Sequence, residues 1–159
     1  MVTIVLPWID KRLNAHNKGH WRTKAEPTRE ARLRAYAEAQ RAILDGAAHI
    51  EGKASVSYRF FVPDNVRRDA ANMKQSCKPF IDGVVDSGLI VGDHWQVLKD
   101  NGSEVAIDKA NPRVELTFER IESEDNKRQN AKSSKGVTVR RKRIGKVDLG
   151  EPFPEANLP

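Results

Sequence analysis

The 159-residue sequence predicts an α/β domain, a mixed β-sheet with two helices, followed by a basic tail. Three observations predict it. Residues 54–62 and 113–121 alternate apolar and polar side chains with period two, as strands with one buried face do. Residues 27–45 and 73–85 repeat their apolar positions at spacings of three and four, as helices packed on one side do. The two periods interleave, giving the order β-α-β-α-β-β-β.

The first strand is VTIVL at 2–6, β-branched and apolar, with Pro7 ending it. A polar stretch follows that carries Asn14, His16, Asn17, Lys18, His20, Trp21 and Arg22. Residues 9–34 hold eight Lys/Arg against three acids, a composition suited to a phosphate backbone, with Trp21 available to stack on a base or to pack on the core. His16 and His20 have helical metal-ligand spacing, but Asn17, Lys18 and Gly19 between them disfavour a helix. Glu26-Pro27 suits a helix start. The stripe Leu33, Tyr36, Ala37, Leu44 and Ala47 is expected to pack on the sheet, and Gly46 to end the helix.

In the second strand Ala54, Val56, Tyr58, Phe60 and Val62 share one face, and Pro63-Asp64-Asn65 turns the chain. Met73, Cys77, Phe80, Ile81, Val84 and Val85 define the second helix, in which Pro79 marks a kink or the true first turn. Gly88 ends it, and Leu89-Ile90-Val91 is a short buried segment. Asn101-Gly102 is a two-residue hairpin signal, expected to join 96–100 to 103–107. Asn111-Pro112 makes the next turn, and Val114, Leu116 and Phe118 point inward from the last strand.

From Ser123 the composition changes. Residues 127–146 hold nine Lys/Arg and no acid, and the last segment holds three prolines. The reading is a domain over 1–122 and a mostly disordered tail over 123–159, whose RRKR (140–143) suits non-specific phosphate contact.

The chain carries 28 Lys/Arg and 22 Asp/Glu, a net charge of +6, which favours an anionic partner, nucleic acid first. Cys77 is the only cysteine, so an intrachain disulfide is excluded, and no Cys/His group has zinc spacing. No apolar run approaches the ~20 residues of a membrane-spanning helix, and the expectation is a soluble cytoplasmic protein without membrane contact. The aromatic Lys/Arg-Gly-Phe pattern of a ribonucleoprotein motif is absent.

The chemistry concentrates in residues 67–93, RRDAANMKQSCKPFIDGVVDSGLIVGD. Acids separated by a helix and a turn can fold back to one point, and a hard cation such as Mg²⁺ takes one or two carboxylates plus waters and substrate phosphates. Lys78 and Asp82 are four apart on one helix face, the spacing of an ordinary surface ion pair and of a functional pair alike.

This stretch resembles the RusA family of Holliday-junction resolvases, small phage and prophage enzymes. Arg68, Asp69 and Asn72 match the opening of the family's motif, Lys78 and Asp82 its middle, and Gly88, Leu89, Ile90 and Asp93 its close. Ala71 stands where the family has its second aspartate and Gly92 where it has the first of its closing pair, and Asn72 to Lys78 is three residues longer than in the best-known members.

The resemblance implies a Mg²⁺-dependent (or Mn²⁺-dependent) endonuclease that resolves four-way DNA junctions by paired cuts. It implies a homodimer, phage or prophage encoded and working in the bacterial cytoplasm. It also implies Asp69, Asp82 and Asp93 as metal-binding acids, with Asp82 a third ligand or a positioning group. Lys78 would assist catalysis, or Lys74 if the insertion falls elsewhere. Arg67, Arg68, Asn72, Lys74, Asn14, Lys18 and Arg22 are the candidate DNA contacts. The alternative is a junction-binding protein that has lost catalysis, which the missing acids at Ala71 and Gly92 motivate.

Overall fold

The computed structural model describes residues 1–14 and 21–122. Its four strands are β1 (Val2–Pro7), β2 (Ala54–Val62), β3 (Leu98–Ile107) and β4 (Arg113–Arg120). Its helices are α1 (Trp21–Leu44), α2 (Ala70–Ser76) and α3 (Lys78–Asp86), with a single 3₁₀ turn at Lys11–Leu13. The sheet is mixed, in the order β1-β4-β2-β3. β4 runs antiparallel to both its neighbours, and β2 runs parallel to β3. A parallel pair needs a crossover connection. Here α2 and α3 supply it, so the whole 67–93 stretch lies between two adjacent strands.

The expected alternation holds in β2 and β4. Ala54, Val56, Phe60 and Val62 are buried on β2, and Val114, Leu116 and Phe118 on β4. Ile4 and Leu6 join them from β1, and Met73, Cys77, Phe80, Ile81 and Val84 close the core from α2 and α3.

Three expectations are corrected. The first concerns Asn101-Gly102, which makes no hairpin. β3 runs through it as one strand, and the extra residue becomes a bulge, with Val56 opposite Asp100 and Tyr58 opposite Ser103. Gly102 takes φ +103°, and its N–H donates to the Asp100 carboxylate at 2.8 Å. A continuous strand gains eight register partners along β2 and stays parallel, which outweighs a local turn preference.

The second concerns α1, which starts at Trp21, and whose buried residues are Pro27, inside the helix, with Ala35 and Ala39. Leu33 (55% exposed) and Leu44 (84% exposed) point outward. The reason is α3. Gly83 sits so close to α1 that a Cβ there would lie 2.2 Å from the Arg32 carbonyl oxygen and 2.9 Å from the Ala35 Cβ. Large side chains cannot line that seam, so small ones do. Arg32 spans it from the side, donating from Nε and Nη2 to the Asp86 carboxylate.

The third concerns the second predicted helix, which is two. The chain breaks at Cys77, and Pro79 occupies the first turn of α3, where its missing N–H costs nothing. Gly88, at φ +77°, follows the end of α3. Leu89 and Ile90 are then buried, and Ile90 bridges to Ile50.

Candidate active site

Asp69 is the N-cap of α2. Its carboxylate accepts from the Ala71 N–H at 2.8 Å, satisfying one of the free donors of the helix start. It lines a cavity of about 470 Å³ with Trp8, Asn14, Arg67, Arg68 and Asn72. Arg67 is exposed there. Arg68 is instead a brace. It donates to Asp64 Oδ1 at 2.6 Å and to the Val66 carbonyl at 3.1 Å, and its guanidinium lies 5.8 Å from the centre of the Trp8 ring. The hydrogen bond from Arg68 is the main reason that the Asp64 carboxyl is held below its ordinary range.

Lys78, Asp82 and Asp93 come together elsewhere. The Lys78 ammonium donates to both Asp82 Oδ1 and Asp93 Oδ2. Asp82 is one turn along α3, and Asp93 arrives from the loop beyond Leu89-Ile90, anchored by those buried side chains. Burial pulls the Lys78 ammonium down, but its bonds to the two carboxylates outweigh that and the net shift is upward. Asp93 is lowered, chiefly by its hydrogen bond from Lys78. The groove here is about 230 Å³ and also takes in Tyr58, Lys74 and Leu98. Lys74 pairs with Asp100 at 2.6 Å, its ammonium 5.9 Å from the Tyr58 ring centre. Lys78, rather than Lys74, is thus the lysine at the two carboxylates.

The two cavities use opposite faces of α2. Asn72, Met73 and Ser76 line the Asp69 cavity, and Lys74 and Gln75 the Lys78 groove. That division follows from 100° of rotation per residue. Among the described residues no group of three or more His, Cys, Asp or Glu side chains is arranged around one ion position. Asp82 and Asp93 nonetheless reach one cation together, the Lys78 ammonium. Two partly open carboxylates, with water and phosphate completing the shell, are a donor set that fits a hard divalent cation.

Arg22 is exposed at the start of α1. Lys18, His16 and His20, and RRKR in the tail, lie outside the described residues. The sequence reading missed Trp95, which is 86% exposed two residues past Asp93. Its signal was available: an aromatic among polar residues beside a candidate acid.

No family model matches the chain. It is similar to an uncharacterized protein of Xylella fastidiosa (strain Temecula1 / ATCC 700964), 31% identical over 88 residues. The match covers 55% of this chain and 58% of that relative's length.

Proposed function

We propose that the protein is a divalent-metal-dependent endonuclease that cuts four-way DNA junctions in recombination and repair, acting as a homodimer. The observation that carries the reading is the convergence of Asp82 and Asp93 on Lys78. These residues come from two elements, at the positions where the resemblance implies functional groups. The basic charge and the Arg67–Asn72 cavity, on the other face of α2, are suited to the phosphate contacts such a substrate needs.

In this reading Asp82 and Asp93 would hold Mg²⁺ or Mn²⁺, which would activate water and polarise a phosphate oxygen, and Asp69, in the separate cavity, is the further acid that the resemblance implies. Lys78 offsets negative charge that builds on the phosphate during attack. Arg67 and Asn72 hold the flanking backbone, and Arg68 keeps the 64–68 loop in shape for them. Two copies related by a two-fold axis cut opposite strands symmetrically.

The test is a synthetic four-way junction and its duplex arms, incubated with Mg²⁺ and with chelator and scored for binding and cutting. The expected result is metal-dependent paired nicks in the junction alone, abolished by Asp93→Asn with binding retained.

A second reading is junction binding without cutting. It is favoured by Ala71 and Gly92, which lack the family's acids, and by Asp69, whose carboxylate caps α2 in a separate cavity. Tight junction binding with no cut in Mg²⁺ or Mn²⁺ selects it.

A further inference from the structure

We propose that Trp95, with Lys53 and Lys99, forms a cleft that stacks one nucleobase whose face is free of a duplex stack. The inference rests on the nucleic-acid reading above and adds a site to it.

Trp95 leaves most of its indole in solvent, whereas Phe60, Phe80 and Phe118 are fully buried. The surroundings of the Trp95 ring are held by hydrogen bonds. The Val97 and Leu98 N–H groups both donate to the His94 carbonyl at 2.9 Å, closing the turn that carries the ring. The Ala54 N–H donates to the Val97 carbonyl at 2.7 Å, and the Ile121 N–H to the Lys53 carbonyl at 2.8 Å. The turn is therefore tied to the first residue of β2, and the position of Trp95 does not depend on a free loop.

The cleft measures about 600 Å³, within the range of small-ligand sites. Ala54, Val97 and Ile121 line it together with Lys53 and Lys99, and among the described residues no acid lines it. An aromatic ring and two cations in one cleft match a base and its phosphates, since stacking supplies sequence-tolerant affinity and lysines follow the backbone. A protein partner would be better served by an apolar surround than by two lysines.

Leu98 lines the carboxylate groove, and Val97 and Lys99 line the cleft, so the two sites open on opposite sides of the chain where it enters β3. The base must present an unstacked face, because bases inside a duplex keep theirs stacked. The exchange point of a junction, or a single strand, offers such a face.

The test is equilibrium binding in chelator, so that nothing is cut, by fluorescence anisotropy. The probes are a four-way junction, its duplex arm and a single-stranded oligonucleotide, with wild type, Trp95→Ala and Trp95→Phe. The alanine variant is expected to lose about tenfold or more in affinity for junction and single strand, and to change little on the duplex arm. The phenylalanine variant is expected to keep most of the affinity. Both should melt as wild type does, because the ring is exposed. Wild-type affinity in Trp95→Ala for junction and single strand overturns the cleft and leaves the endonuclease reading standing. If wild type itself binds neither probe, the nucleic-acid reading has failed and the cleft falls with it. A dimer in wild type that becomes monomeric in Trp95→Ala, by light scattering, identifies the seat as a protein interface and also overturns the proposal.

Discussion

Replacing Gly83 by alanine adds one methyl group where α1 leaves no room. The new Cβ would lie 2.2 Å from the Arg32 carbonyl oxygen and 2.9 Å from both the Ala35 Cβ and the Tyr36 nitrogen. Carbon and carbonyl oxygen close at about 3.3 Å, so the overlap with Arg32 is about 1 Å. Two of the three obstructing atoms are helix backbone and cannot swing aside. The helices must separate, and a gap of about 1 Å forfeits up to about half of each dispersion contact along the seam. Overpacking of this kind costs about 1–3 kcal/mol, occasionally more. Alanine returns about 1 kcal/mol through its better helix propensity. With backbone as the obstacle the upper end applies, and we expect a net loss of about 2 kcal/mol and a fall in Tm of about 8 °C. Urea unfolding followed by far-UV circular dichroism measures it. A Gly83→Ala protein as stable as wild type, or more stable, would show propensity winning and refute the close approach of α1 and α3.

Lys78→Met is expected to cost about 1 kcal/mol or less in stability, because the ion pairs are partly exposed, yet to slow junction cutting about 100-fold. Lys74→Met, which loses its partner Asp100 on β3, should slow cutting less. Gly102→Ala forces a side chain into φ +103° and should cost about 1–3 kcal/mol in a thermal melt. Asp100 is depressed chiefly by its hydrogen bond from Lys74. Its folded state holds the proton less tightly than the unfolded state, so its stabilisation is present above about pH 4 and is lost as pH falls through the lowered folded value. Asp100→Asn should therefore be less stable than wild type at neutral pH, by about 1 kcal/mol or less, and the gap should close in urea titrations near pH 2.

The strands were legible where one face is buried. Val114, Leu116 and Phe118 announced β4 because a period of two has few other causes. α1 was legible as a helix but not in its facing. Leu33 and Leu44 are the apolar residues that a periodicity reading selects, and they are exposed because Gly83 demands alanine on the seam. That demand comes from a residue 39 or more positions away, which no local pattern contains. Asn101-Gly102 failed for a similar reason. Its turn chemistry is real, but a long parallel partner in β2 absorbs it. In the site, the Lys78–Asp82 pair was written in its spacing of four. The arrival of Asp93 on the same ammonium depends on buried Leu89 and Ile90. Asp69 was visible as an acid past a strand end, but its work as a helix cap depends on where α2 begins.

The parallel pairing of β2 with β3 has a consequence for how the protein could change over time. Nearly all the candidate chemistry, from Arg67 through Trp95, sits in one excursion that leaves the sheet after Val62 and returns at Leu98. Both anchor points are fixed by neighbouring strands, while β1, β4 and β2 pair with one another without it. The excursion is a cassette between two adjacent docking points. An exchange of that segment could replace the candidate site and leave the pairing of the three antiparallel strands intact, provided the incoming piece supplied core side chains in place of Phe80, Ile81 and Val84 and kept a small residue where Gly83 meets α1.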